Sequence, residues 1–456
     1  MITFRKYIFM PLLVAALFFA SCSGLKTAFN DSEIIETGDA PVKKFKLENN
    51  MPVLIVEEPD SRVVTLDVWV NTGSQHEPKD INGVSHFLEH MLFKGTEKRG
   101  VGEIDAMIEE VGGQWNAGTS IEFTHYYLTV GTPFVETGMD ALSDAIGHSS
   151  IDPVELEKER MVILEEYHRK QDNPASFLFT EAFSESYDQS PNKWPVLGEP
   201  ETIKAITREK MMDYYHSRYA PENMVLIVVG GVKAEEIMPK LEEYFGAIDR
   251  PFSGNNQQKI KTVRKEKLFV EYERPIKKAY MVMTFPAPDL SSPQEVYAAD
   301  ILSYIMGEGR SSRLHQHIKE DKELVSGISM NYPTHRRDGL FLVFATFDYE
   351  KLHEVREAVS GELKELRNEE PSGEEMEKVK RMIMNHSAFG HETTSGRSSE
   401  IGYYFTLTGD TTFDETYLEK IQEVEPEEVQ KIAQKYLDPE KANIFIVKPS
   451  EMQSAQ

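Results

Sequence analysis

Cysteine is almost missing from this chain of 456 residues: Cys22 is the only one, so no disulfide within the chain can staple the fold. Basic residues are also in short supply. The 50 Lys and Arg face 76 Asp and Glu, and a formal net charge of -26 argues against a nucleic-acid partner, whose phosphates need a cationic surface. Long apolar runs are lacking too. No run beyond the N-terminus approaches the ~20 residues of a membrane-spanning helix. What remains is a chain of normal hydrophobic content, 40%, and too long for one hydrophobic core, which predicts two or more packed domains with an acidic surface.

The N-terminus reads as an address. Arg5 and Lys6 precede an apolar stretch, Ile8 to Phe19, too short for a typical spanning helix, and Phe19-Ala20-Ser21 sets small residues before Cys22. This segment resembles a bacterial lipoprotein signal, with Phe19 where Leu is more usual. The resemblance implies a signal peptide over 1–21, a lipidated Cys22 as mature N-terminus, a polar tether over 22–40, and a place in the bacterial cell envelope, lipid-anchored and periplasm-facing or in the outer membrane. Plain secretion with cleavage nearby and a retained anchor are the competing readings.

From Pro41 the pattern alternates between strands and helices. Pro52 to Glu57 and Arg62 to Val70 read as paired strands, rich in β-branched residues around the turn Glu58-Pro59-Asp60. Glu103 to Val111 reads as a helix closed by Gly112-Gly113, and Phe123 to Val130 as a strand entered through residues 114–122. Glu155 to Lys170 reads as a long charged helix, with Met161, Val162 and Leu164 as its apolar contacts.

One stretch between these elements carries chemistry. In Gly83-Val-Ser-His-Phe-Leu-Glu-His-Met-Leu-Phe-Lys-Gly95, His86 and His90 stand four apart and share a helix face that Glu89 borders. Two imidazoles can grip one metal ion with a carboxylate beside it, and His-x-x-Glu-His is the inverted form of the zinc-helix motif. A third ligand is then needed to leave one open position. Glu159 and Glu166, seven apart on the long helix, are both eligible, and spacing does not choose between them. Glu155, Glu157 and Glu165 read as a solvated face.

Residues 81–170 resemble the catalytic half of the pitrilysin/insulinase/mitochondrial-processing-peptidase family, whose His-x-x-Glu-His is followed 76 residues later by a ligating Glu; from His90 that count reaches Glu166. The resemblance implies one Zn2+ per chain held by His86, His90 and Glu166, Glu89 as general base, Glu159 as the supporting carboxylate seven residues before the ligand, and Asn116-Ala117 as a strand edge that receives the peptide.

The chain also repeats itself. Tyr219-Ala-Pro-Glu-Asn-Met-Val-Leu-Ile-Val-Val recurs loosely from Tyr436, and Leu156-Glu-Lys-Glu-Arg-Met-Val-Ile-Leu recurs from Met376, at offsets of 217 and 220 residues. Two homologous halves of α+β fold are expected, each an antiparallel-rich sheet packed against helices: a catalytic domain over 41–250, a polar linker over 251–262 and a second, non-catalytic domain over 263–449.

The second half lacks the metal motif. At the offset of 220, position 166 falls on His386 and position 159 on Val379, and His315, His317, His386 and His391 read as surface histidines. Gly307-Glu-Gly-Arg-Ser-Ser-Arg-Leu314 resembles the family's glycine-containing turn before a helix. Where active single-chain members carry an Arg and, seven residues on, a Tyr that hold the substrate, this chain has Lys319 and Ser326. Lys keeps a charge without the fork of Arg, and Ser lacks the reach of Tyr.

The expectation is therefore a zinc endopeptidase for peptides or unfolded polypeptides, the zinc-bearing subunit of a heteromer whose homologous partner lacks the zinc motif and supplies the clamp. The alternatives are a self-sufficient homodimer, with Arg310, Arg313 or Arg397 and Tyr404 as substitutes, a non-enzymatic scaffold, or a zinc hydrolase for another substrate.

Overall fold

The computed structural model describes residues 41–254 and 262–450, together with the backbone of Ile34–Ile35. The expected signal peptide, Cys22 and the rest of the tether lie outside the described residues, as do 255–261 of the expected linker. No helix among the described residues is long and apolar enough to cross a membrane.

Two sheets organise the chain. The first runs, edge to edge, Ile34–Ile35, Val42–Lys46, Pro52–Glu57, Met224–Gly230, Val63–Val70, Thr124–Gly131, Gln114–Thr119; the second runs Phe269–Arg274, Asn443–Pro449, Ala279–Pro286, Leu340–Phe347, Val325–Asn331. The last five strands of the first sheet and the five of the second share one order. In each, the half's last strand lies parallel beside the leading strand of the five, and all other neighbours are antiparallel. The α+β duplication expected from the repeats is what the structure shows, and the two recurring Pro-Glu segments enter the equivalent strands Met224–Gly230 and Asn443–Pro449.

These strands are apolar on both faces because both faces are covered. Val53, Ile55, Val64, Leu66 and Val68 face one core with the helices of their own half, whereas Leu54, Val56, Trp69, Val225 and Ile227 face a second cluster that includes Ile401. Ile401 belongs to the Thr394–Thr408 helix of the other half. Reciprocally, Phe177, Leu178 and Phe183 of the Pro174–Glu185 helix pack on Val282, Leu342 and Phe445 of the second sheet. Each half thus lends a helix to the other. Gly402 sits where the crossing is tightest, since a Cβ there would lie 2.2 Å from the Trp69 indole nitrogen.

Several local expectations need correction. Residues 114–119, read from the pattern as a lead-in, form a strand of their own, an edge of the first sheet among the described residues, as the family resemblance implies for Asn116-Ala117. The long helix spans Pro153–Asp172, and its packed face is Leu156, Ile163 and Leu164; Met161 and Val162 are 65% and 44% exposed, because the stripe that meets the neighbouring helix runs through 156, 159, 160 and 163. Two histidines assigned to the surface are not there. His315 retains only 12% side-chain exposure, and His391 is half-buried against Glu400 at 2.7 Å.

Candidate metal centre

The metal helix, Val84–Leu92, begins at a chain reversal that glycine makes possible. Gly83 has φ +95°, and a Cβ there would lie 2.6 Å from the Leu197 carbonyl oxygen. The freed amides at this end find a buried carboxylate: Glu77, 3% exposed, accepts hydrogen bonds from Gly83 N (2.6 Å), Ser85 N (2.8 Å) and Asn82 Nδ2 (2.7 Å). An anion at a helix N-terminus is favourable, and these bonds compensate for its burial. Val84, Phe87, Leu88 and Met91 bury the opposite side of the helix in the first core, which turns His86 and His90 toward the Pro153–Asp172 helix.

There the three expected ligands meet. One ligand atom from each of His86, His90 and Glu166 lies within 4.8 Å of the others, and Glu166 Oε2 is 3.7 Å from His86 Nε2 and 3.8 Å from His90 Nε2. The two rings stand edge to face, centroids 4.7 Å apart. Two imidazole nitrogens and one carboxylate oxygen converging in this way match the donor set zinc takes with a fourth position left open. Glu159 lies beside the ligands rather than among them. Its Oε2 is 3.1 Å from His90 Nδ1 and its Oε1 is 2.8 Å from Lys94 Nζ, so it fixes the His90 ring with Nε2 pointing to the centre. Spacing leaves the two glutamates equivalent; the geometry separates them.

Electrostatics suit the same division. Burial, reinforced by His90, pushes the His86 imidazole down to about 4, so near neutral pH its lone pair is available. Burial works to raise Glu166 and Glu159 as well, but His86 and Lys170 hold the first, and Lys94 and His90 the second, below the ordinary carboxylate value. Glu89 goes the other way. Burial raises it despite the hydrogen bond it accepts from Thr119, as befits a proton acceptor.

Asn116 and Ala117 lie on the free edge strand, where Asn116 pairs inward with Tyr127 and its own Oδ1 accepts from Ala117 N at 2.9 Å. The strand ends at Thr119, whose hydroxyl donates to Glu89 Oε2 at 2.5 Å. Sequence reasoning missed Thr119 and Glu77. Neither has a periodic signal, because each acts across a loop rather than along a helix or strand.

Lys319 and Ser326 are engaged locally. Lys319, in the π-helical turn Leu314–Asp321, lies 3.3 Å from His315 Nε2, and Ser326, exposed on the Val325–Asn331 edge strand, donates to the Thr346 carbonyl at 3.1 Å. Arg313 is forked onto Glu375 at 2.8 and 3.0 Å, while Tyr404 stacks within Phe413 and Tyr417 and Arg397 is buried, 8% exposed, beside Glu58. His386 is exposed, as expected, and bonds Tyr304 OH at 2.6 Å.

Comparison with known proteins agrees with the geometry. Residues 52–199 match the family model described as insulinase (peptidase family M16), and 205–383 match the one described as peptidase M16 inactive domain. An uncharacterized zinc protease of Bacillus subtilis is 27% identical over 90% of this chain and 98% of its own. A probable mitochondrial-processing peptidase subunit beta of Arabidopsis thaliana is 25% identical over 86% of this chain and 75% of its own. Among solved structures, a protease from Helicobacter pylori superposes with TM-score 0.84 at 21% identity, covering 90% of this chain and all (100%) of that one.

Proposed function

The chain belongs to the insulinase family, peptidase family M16, and on that premise we propose that it is a zinc-dependent endopeptidase for peptides or unfolded polypeptides. The observation that carries this reading is the convergence of His86, His90 and Glu166 beside the buried base Glu89. Bound there, zinc would supply Lewis acidity to the scissile carbonyl and make water in the open position more acidic. Glu89 takes the proton of the attacking water and passes it to the leaving amine. Its Oε2 is held by Thr119, which leaves Oε1 to face the proton. Glu159 keeps His90 in the tautomer that offers Nε2. An extended peptide adds as a further strand along Asn116 and Ala117, so that main-chain hydrogen bonds give affinity with little sequence selectivity.

In this reading the chain is the zinc-bearing subunit of a heteromer. Lys319 and Ser326 stand where the family resemblance puts the substrate-holding Arg and Tyr, and both already have local partners, as does Arg313. Two of the similar proteins carry the name subunit beta of the mitochondrial-processing peptidase, which supports a divided enzyme. The lipid anchor at Cys22 and a place in the bacterial cell envelope complete the proposal. The test is to purify the native assembly and the isolated chain and assay both on an internally quenched unstructured peptide. Cleavage by the assembly alone, with a homologous chain co-purifying, is expected. Robust cleavage by the isolated chain overturns the divided enzyme in favour of a self-sufficient peptidase, and absence of stoichiometric zinc from both overturns the enzyme reading in favour of a scaffold.

A further inference from the structure

The turn that joins the edge strand to its neighbour, residues 120–123, touches three parts of the molecule at once. On one side the edge strand ends in Thr119, whose hydroxyl donates to Glu89 Oε2 at 2.5 Å and lies 3.4 Å from the buried Thr124 hydroxyl. Beneath, the carbonyls of Ser120 and Ile121 accept from the amides of Ser74 and Gln75, so closely that a Cβ on Gly73 would lie 2.3 Å from the Ser120 oxygen. On the far side, Glu122, 2% exposed, accepts from His335 Nδ1 at 3.0 Å and from the Arg336 amide at 3.1 Å, both in the second half. Arg336 is itself pinned by the carbonyls of Thr406 (2.5 Å) and Leu407 (3.1 Å) and by Asn71 Oδ1 (3.2 Å).

We infer that Thr119 is a positioning residue for Glu89, and that Glu122, anchored by His335 and Arg336 of the second half, sets Thr119, so that the second half helps to aim a base it does not contain. The physical basis is constraint. A glutamate carries three rotatable bonds, and a carboxylate used for proton transfer must present one oxygen at a fixed point. The Thr119 hydroxyl ties down the other oxygen, and its own place is fixed by a turn whose carboxylate is buried and satisfied on both oxygens. Because Thr119 also ends the strand proposed to receive the peptide, docking and base orientation share one element. This inference rests on the proposed role of Glu89.

The experiment measures kcat, KM and zinc content of the native assembly carrying Thr119→Val, Thr119→Ser, Glu122→Gln, the Thr119→Val/Glu122→Gln pair, and Glu89→Gln as reference. Losing one hydrogen bond to a carboxylate predicts a fall in kcat of about 10- to 100-fold for Thr119→Val, with KM within about threefold, zinc unchanged and activity restored by Thr119→Ser. Glu122→Gln should lower kcat less, and the pair should lose no more than Thr119→Val alone, since one residue acts through the other. Wild-type kcat in Thr119→Val, with Glu89→Gln inactive, overturns the positioning role of Thr119. Additive losses in the pair overturn the link through Glu122. Activity surviving in Glu89→Gln instead overturns the proposed function beneath it. Should Thr119→Val fail to fold, Thr119→Ala set against Thr119→Ser decides the same question.

Discussion

The Pro153–Asp172 helix of the first half and the Gly373–Gly390 helix of the second run at an offset of 220 residues and share three buried positions, put to different ends. Leu156 and Met376 are buried, as are Ile163 and Ile383; between them a further position is buried in both helices, as Glu159 in one and Val379 in the other, 6% and 0% exposed. The shared apolar positions keep the helix on its sheet. The difference at 159 teaches where chemistry has displaced packing: a buried carboxylate is unfavourable unless paired, and Glu159 has Lys94 and His90 to pair with, whereas Val379 simply fills space. Position 166 follows suit. In the first half Glu166 converges with His86 and His90 as a candidate ligand, and its counterpart His386 turns to Tyr304 near the surface.

Removing the chemistry from the first half should therefore give the largest effects. Glu89→Gln is expected to lower peptide cleavage by the assembly at least ~100-fold while zinc stays bound, as measured by cleavage rate and metal analysis together. His386→Gln at the second half's equivalent of the ligand should leave cleavage within about twofold of wild type; a comparable loss there would break the asymmetry. A smaller effect separates ligand from support. Glu159→Val, which copies the second half into the first, should weaken zinc binding about 10- to 100-fold in a competition titration with a chelator, yet leave thermal stability unchanged or raised. A protein that unfolds more readily with unaltered zinc affinity would show that Glu159 serves the fold instead.

Much of this asymmetry is legible in the order of the amino acids. The duplication shows in two recurring segments because a buried central strand must be apolar throughout, and such runs are conspicuous in a polar chain. The candidate ligand pair His86 and His90 is legible because helical spacing turns sequence distance into direction, and Glu166 because its count from His90 matches a known family pattern. What escapes sequence reasoning acts across loops or across halves. Glu77 reaches the Val84–Leu92 helix through a chain reversal, Thr119 reaches Glu89 on that helix from the end of the edge strand, and the exchange of Thr394–Thr408 for Pro174–Glu185 leaves no periodic mark distinguishing a helix that covers its own sheet from one that covers its neighbour's. Met161 and Val162 mislead for a related reason. Apolar residues near a functional glutamate look like its packing, although on a helix with ionic residues on several sides hydrophobicity alone does not identify the buried stripe.

The smallest effect expected separates the two helices at their N-terminal ends. Glu375 and Glu155 stand at the same offset of 220, but Glu375 caps the amide of Ser372 and takes both prongs of Arg313, whereas Glu155 pairs only with Lys158, whose side chain is 63% exposed. The Arg313 guanidinium, against some opposition from burial, holds Glu375 down to about 2 from an ordinary 4.5. A carboxylate depressed in the folded state contributes stability that is complete above its unfolded value and fades as the pH drops from about 4.5 toward 2. Urea unfolding of the wild-type chain across that window should show the loss, and Glu375→Gln should flatten it while costing about 1–2 kcal/mol near neutral pH, a figure kept below the full pKa shift because the pair is partly screened by water. Glu155→Gln, which removes only a screened pair of adjacent turns, should cost under about 0.5 kcal/mol. If the two variants behave alike, the fork between Arg313 and Glu375 adds nothing to the second half, and Arg313 becomes free to be tested as a substrate clamp.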